Sequence, residues 1–103
     1  MLREDFQGRN EIVEQARNVQ VEEIDANGSV AFRVTSAVTA EVRYAVPVEA
    51  SGDDSDGISI HFLLHVRHGR VHELEIYKDD GSPIRRWPRV DDLEVFAPPF
   101  KWE

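Results

Sequence analysis

The chain has 103 residues, 20 acidic against 12 basic side chains, a formal net charge of −8 and no cysteine. A disulfide framework, a thiolate metal site and a cysteine nucleophile are thereby excluded, and a chain this short closes one hydrophobic core and little more. Hydrophobic content of 41% beside 31% charged residues belongs to a folded globular domain, so one domain over residues 1–103 is expected.

Leu2 and Phe6 stand at helical spacing until Gly8 interrupts them. Asn10 is a good cap for a short helix ending near Asn18, with Ile12, Val13 and Ala16 on one face. Such a helix is too short to stand on its own propensity and is expected to cover one face of a sheet. A strand follows over residues 19–25, and Asn27-Gly28 is a strong hairpin signal. Pairing Ala26 with Ser29 sets Val21 opposite Val34 and Glu22 opposite Arg33. A third strand is expected over residues 40–48, with Val42, Tyr44, Val46 and Val48 on one face and Glu41 and Arg43 on the other. Pro47 lacks an amide donor and marks an edge or a bulge there.

Residues 51–57 read as an acidic, turn-rich connecting loop. Asp54 and Asp56-Gly57 match part of a calcium loop, but Gly52 and Leu63 occupy two of its ligand positions and exclude an EF-hand. Residues 58–77 then form two long strands folded back at His68-Gly69, and they hold all four histidines. A two-residue loop there would set Leu64 against Glu73 and Phe62 against Glu75, placing two carboxylates on the apolar face, which costs several kcal/mol per unpaired charge. A three-residue loop with Gly69 in the left-handed position instead pairs Val66 with Arg70, Phe62 with Leu74 and Ile60 with Ile76. In that register His61 faces Glu75, His65 lies two residues along the same face, and Glu73 is diagonal to both. His68, in the turn, and His72, at the rim of the apolar face, read as structural.

Residues 78–83 form a turn, and Arg85-Arg86-Trp87-Pro88-Arg89 is the one basic cluster. Trp87 is expected to plug the core while its arginines pair with Asp91, Asp92 or the acidic first half. Leu93, Val95 and Phe96 suggest a last strand, and residues 97–103 an aromatic, extended tail. The elements sum to an α+β domain: a short N-terminal helix packed on a mainly antiparallel meander sheet of about five to six strands.

Val46-Pro47-Val48-Glu49, Leu63-Leu64-His65-Val66, Glu73-Leu74-Glu75-Ile76-Tyr77 and Asp80-Gly81-Ser82-Pro83-Ile84, with Phe6-Gln7-Gly8-Arg9 before them, carry a family likeness. The chain resembles a family of small bacterial proteins, frequent in actinobacteria, classed as a domain of unknown function. The resemblance implies a stand-alone cytoplasmic α+β domain and assigns no functional residue.

No apolar run approaches the ~18 residues of a membrane span, and the N-terminus lacks a signal-peptide core, which again points to the cytoplasm. Six of the eight net negative charges fall in residues 19–57, a field that repels phosphate backbones and anionic lipid and favours a basic partner. No nucleic-acid or membrane partner and no cofactor is expected. The leading reading is a non-enzymatic protein-binding module of immunity or regulator type, with His61, His65, Glu73, Glu75, Arg85, Arg86 and Trp87 as candidate binding residues. The alternative is a small metal- or histidine-dependent enzyme on the His61/His65/Glu73/Glu75 face, where an imidazole beside carboxylates could ligate an ion or move a proton. A subunit of a homo-oligomer is a third reading.

Overall fold

A computed structural model of the chain describes residues 6–17, 19–35, 38–42 and 44–97. Leu2, Asn18, Arg43 and the tail 98–103 lie outside the described residues. The elements in order are α1 (Arg9–Ala16), β1 (Val19–Glu23), β2 (Val30–Val34), β3 (Val48–Asp53), β4 (Ser59–Arg67), β5 (Arg70–Lys78), a 3-10 turn (Val90–Asp92) and β6 (Glu94–Phe96). The strands form one antiparallel sheet in the order β1-β2-β5-β4-β3-β6. Only β3-β4-β5 is a meander; β2 joins the far side of β5, and β6 returns to the free edge of β3. Among the described residues the chain is mostly β with one α-helix, and none of its described helices is long and apolar enough to cross a membrane.

The central hairpin resolves the carboxylate conflict in a way neither sequence register anticipates. His68 and Gly69 both take positive φ, 52° and 75°, as a two-residue hairpin turn of the favoured twist requires. Arg67 accordingly pairs with Arg70 and Val66 with Val71. A bulge at His72 then shifts the ladder, so that His65 meets Glu73, Leu64 meets Leu74, Phe62 meets Ile76 and Ile60 meets Lys78. The expected pairs of Phe62 with Leu74 and Ile60 with Ile76 are thus displaced by two residues, and His72 is an exposed bulge residue rather than part of the apolar rim. Looping His72 out of the ladder keeps Glu73 and Glu75 off the core face while leaving the tight turn intact.

The first hairpin departs in the same manner. Val21 pairs with Phe32 and Glu22 with Ala31, so the expected Glu22–Arg33 pair does not form. The loop is longer than Asn27-Gly28 alone suggests because the Asp25 carboxylate accepts the backbone N–H groups of Asn27 and Ser29 and closes a wider turn. The third strand also starts later: residues 40–42 and 44–47 are not strand, and β3 takes in Ser51–Asp53 from what reads as loop.

One sheet face is covered. Ile12 of α1, Ala40, Val48, Leu64, Val66 and Val71 form the buried cluster, with Phe6, Phe32, Val34 and Val95 packed against it. Ala16 is exposed, and Gln15 is the buried partner of Ile12 on the helix. The Gln15 side chain donates to the carbonyls of Gly69 (2.7 Å) and Val38 (3.1 Å) and accepts the Val71 N–H (2.8 Å), tying the helix to the hairpin tip. Every polar atom of this buried amide is therefore used, which is the condition for burying it at all.

Deleting His72 is expected to leave unfolding in urea cooperative, because a continuous ladder without it still sets Glu73 opposite His65 and Leu74 opposite Leu64. His72→Ala, at an exposed position, should stay within ~0.5 kcal/mol of the parent. A deletion variant that loses cooperative unfolding would show that His72 does more than take up the register shift.

Candidate functional site

Side chains alternate across a strand, so the observed registers sort the sheet into two faces. The face opposite α1 carries His61, Leu63 and His65 from β4, Glu73, Glu75 and Tyr77 from β5, Glu49, Ser51 and Asp53 from β3, and Glu94 and Phe96 from β6. Glu22, Ala31 and Arg33 extend it on the other side. No residue of this face is buried, although Leu63 and both histidines are half-covered by their neighbours. Its acidic groups outnumber its arginines, which lie at the margins: Arg33 near the outer strand, Arg67 and Arg70 at the hairpin tip.

His61 and His65 share this face but serve different partners. The two-residue displacement places Tyr77 opposite His61, with the rings stacked at 4.8 Å, and His61 Nε2 lies 2.6 Å from Asp79 Oδ1. The expected contact of His61 with Glu75 is replaced by His65, whose Nε2 is 2.8 Å from Glu75 Oε1 and whose cross-strand neighbour is Glu73. One ligating atom from each of His65, Glu73 and Glu75 lies within 4.8 Å of the others. Burial raises the pKa of the Tyr77 phenol, and Asp79, Glu75 and Glu49 add to the shift, so the face carries a common negative field. Ser59, the nearest hydroxyl by sequence, hydrogen-bonds Asp53 at 3.3 Å rather than either imidazole.

Arg85, Arg86 and Trp87 are not part of this cluster. Trp87 meets Phe62, ring centroids 6.2 Å apart, and Phe62 projects from the opposite sheet face. Half of Trp87 is exposed, so it caps that face at its edge instead of plugging the core. With Asp53, Asp54, Arg86, Pro88, Arg89 and Asp92 it lines a cleft of about 390 Å³. The two arginines act here through their backbone: both N–H groups donate to Asp54 at 2.8 Å, while the Arg85 side chain stays largely exposed, 3.7 Å from Asp56.

The polar centre beneath that cleft is absent from the sequence reading. Lys78 is fully buried, its Nζ 2.9 Å from Asp54 and 2.6 Å from Asp56. Burial pushes the Asp54 carboxyl up, but the Arg85 N–H, the Lys78 ammonium and the Ser55 and Arg86 N–H groups together hold it far below the usual carboxylate range. The Lys78 hydrogen bond likewise lowers Asp56, and Asp56 in turn raises Lys78. The acidic loop is therefore anchored by a lysine rather than being a solvated connector. The signal was present in phase: Leu74, Ile76 and Lys78 alternate onto the apolar face, and a lysine there requires a carboxylate partner.

Residues 1–88 match the model of a family described as a domain of unknown function (DUF6984). No curated protein and no solved structure matches the chain.

Lys78→Met is expected to lower the thermal midpoint by on the order of 10 °C, because it leaves two carboxylates facing each other without a cation. The pH profiles should also differ in acid slope. In the parent, Asp54 and Asp56 have lowered pKa values, so their contribution is complete above the ordinary 3.8 and declines as pH falls below it. Lys78 has a raised pKa, so its contribution is complete below 10.5 and is lost as pH rises through the folded value. In the variant, protonating either carboxyl relieves repulsion, so stability should rise on acidification above pH 3.8, where the parent is still flat. Parallel profiles from denaturant melts across pH would refute the role given to Lys78.

Proposed function

We propose, for a chain that belongs to the DUF6984 family, a role as a non-enzymatic binding module that docks a basic protein segment on the uncovered face of its sheet. The observation that carries this reading is the asymmetry of the two faces. One is closed by α1 and by the segment around Trp87, while the other presents half-covered Leu63 and exposed Tyr77 and Phe96 among Glu49, Glu73, Glu75 and Glu94. An apolar centre ringed by charge of one sign suits a partner with a complementary, lysine- or arginine-rich surface, and charge complementarity of this kind sets specificity and association rate. The rigid backing of a six-stranded sheet means that little ordering cost attaches to the docking side. An immunity- or regulator-like protein that neutralises a basic partner is the concrete form of this reading, and it places the protein in the cytoplasm of a bacterial cell.

Affinity capture from the native lysate at low and high salt, with the parent and with Glu73→Lys/Glu75→Lys as baits, tests the reading. A basic protein recovered by the parent at low salt should be lost with the charge-reversed bait. With purified components its affinity should fall at least about tenfold and its salt dependence should weaken. A partner held equally by both baits, or one held only through the Trp87 cleft, would remove the open face as the docking surface.

A further inference from the structure

We propose that His65, Glu73 and Glu75 form a binding site for a divalent transition ion, with zinc as the best match. The donor set is one imidazole nitrogen and two carboxylate oxygens, a mixture zinc accepts in three-ligand sites whose fourth position holds water. The ligating atoms already lie within 4.8 Å of one another. Two ligands bound to one tetrahedral zinc at its usual bond lengths are ~3.4 Å apart. The His65–Glu75 contact of 2.8 Å must therefore open slightly, and any pair near the 4.8 Å limit must close, movements within reach of rotations about the glutamate side-chain bonds. The ion would replace the hydrogen bond between His65 Nε2 and Glu75 Oε1.

Two features separate this cluster from a chance gathering of surface acids. Its residues project from β4 and β5, the two central and longest strands of the sheet, where the backbone is held on both sides. The bulge stands directly beside it, with the register shift falling between His65 and Val66. In a continuous ladder from the His68-Gly69 turn, His65 would face His72, and both glutamates would leave the other face. The bulge thus delivers both carboxylates to the imidazole, a use of bulges common beside functional sites. His61 is outside the set, since its ring is engaged by Asp79 and Tyr77. The side chains of His65 and Glu75 are 33% and 41% exposed, which leaves an entry path and room for a bound water. This inference stands apart from the docking reading, because it concerns the purified protein alone.

The test uses untagged protein titrated with zinc against a chromophoric chelator, with cobalt as a spectroscopic substitute. One equivalent should bind, and cobalt should give the intense visible bands of a four- or five-coordinate site. His65→Ala and Glu75→Gln should each weaken zinc more than about tenfold, whereas His61→Ala should leave it unchanged. NMR of the parent supplies a readout that needs no variant: zinc should shift the His65 ring resonances and leave those of His61, His68 and His72 in place. No binding by the parent, equal binding by a folded His65→Ala variant, or shifts confined to the other histidines would each overturn the site.

Discussion

The ammonium of Lys78 sits between the carboxylates of Asp54 and Asp56, and the side chain that carries it is closed off from solvent. Taking such charges out of water is costly, and the arrangement holds only because its hydrogen-bonding capacity is filled. Asp54 also takes the backbone N–H groups of Ser55, Arg85 and Arg86, and among the described residues no buried side-chain polar atom lacks a partner. The contact joins three stretches distant in sequence: the β3–β4 turn, the end of β5, and the chain that leaves the sheet after Pro83. Buried charge of this kind specifies an arrangement more than it stabilises one, since only one placement of the three segments satisfies every group.

That placement governs which face of the sheet stays open. Holding residues 85 and 86 against Asp54 directs Trp87 onto Phe62, and Pro88 and Leu93 onto Gly52, where an added Cβ would meet both at 2.9 Å. The C-terminal segment therefore lies on the same side as α1, and β6 returns beside β3 with Val95 turned towards Ala50. Gln15 plays the corresponding part at the other end, fastening α1 to the hairpin tip. With both coverings committed to one face, the other keeps its histidines, carboxylates and aromatics accessible.

The His72 bulge links the fold to the chemistry of that open face. A tight turn and an apolar face free of carboxylates make incompatible demands on an uninterrupted ladder through His72, and looping that residue out satisfies both. The same bulge decides which groups meet: His65 with Glu73 and Glu75, His61 with Tyr77 and Asp79. A structural compromise in the core and a mixed nitrogen–oxygen cluster on the surface thus have one cause.

Alternation of apolar and polar residues was legible in the sequence by itself, and it determined the face of each long strand: Phe62, Leu64, Leu74 and Ile76 inward, His61, His65, Glu73 and Glu75 outward. Both hairpins kept those faces while their pairings moved by two residues, because a displacement of two preserves the side-chain phase that burial enforces. The exact partners depended on turn chemistry, the Asp25 carboxylate in one hairpin and the paired positive-φ residues with a bulge in the other, which periodicity does not encode. The late start of β3, the exposed Trp87 and the choice of Asp54 and Asp56 as partners of Lys78 were decided only by tertiary structure. Each depends on contacts between segments tens of residues apart, where one lysine's need for carboxylates outweighs the local tendency of an acidic, glycine-rich stretch to remain a loop.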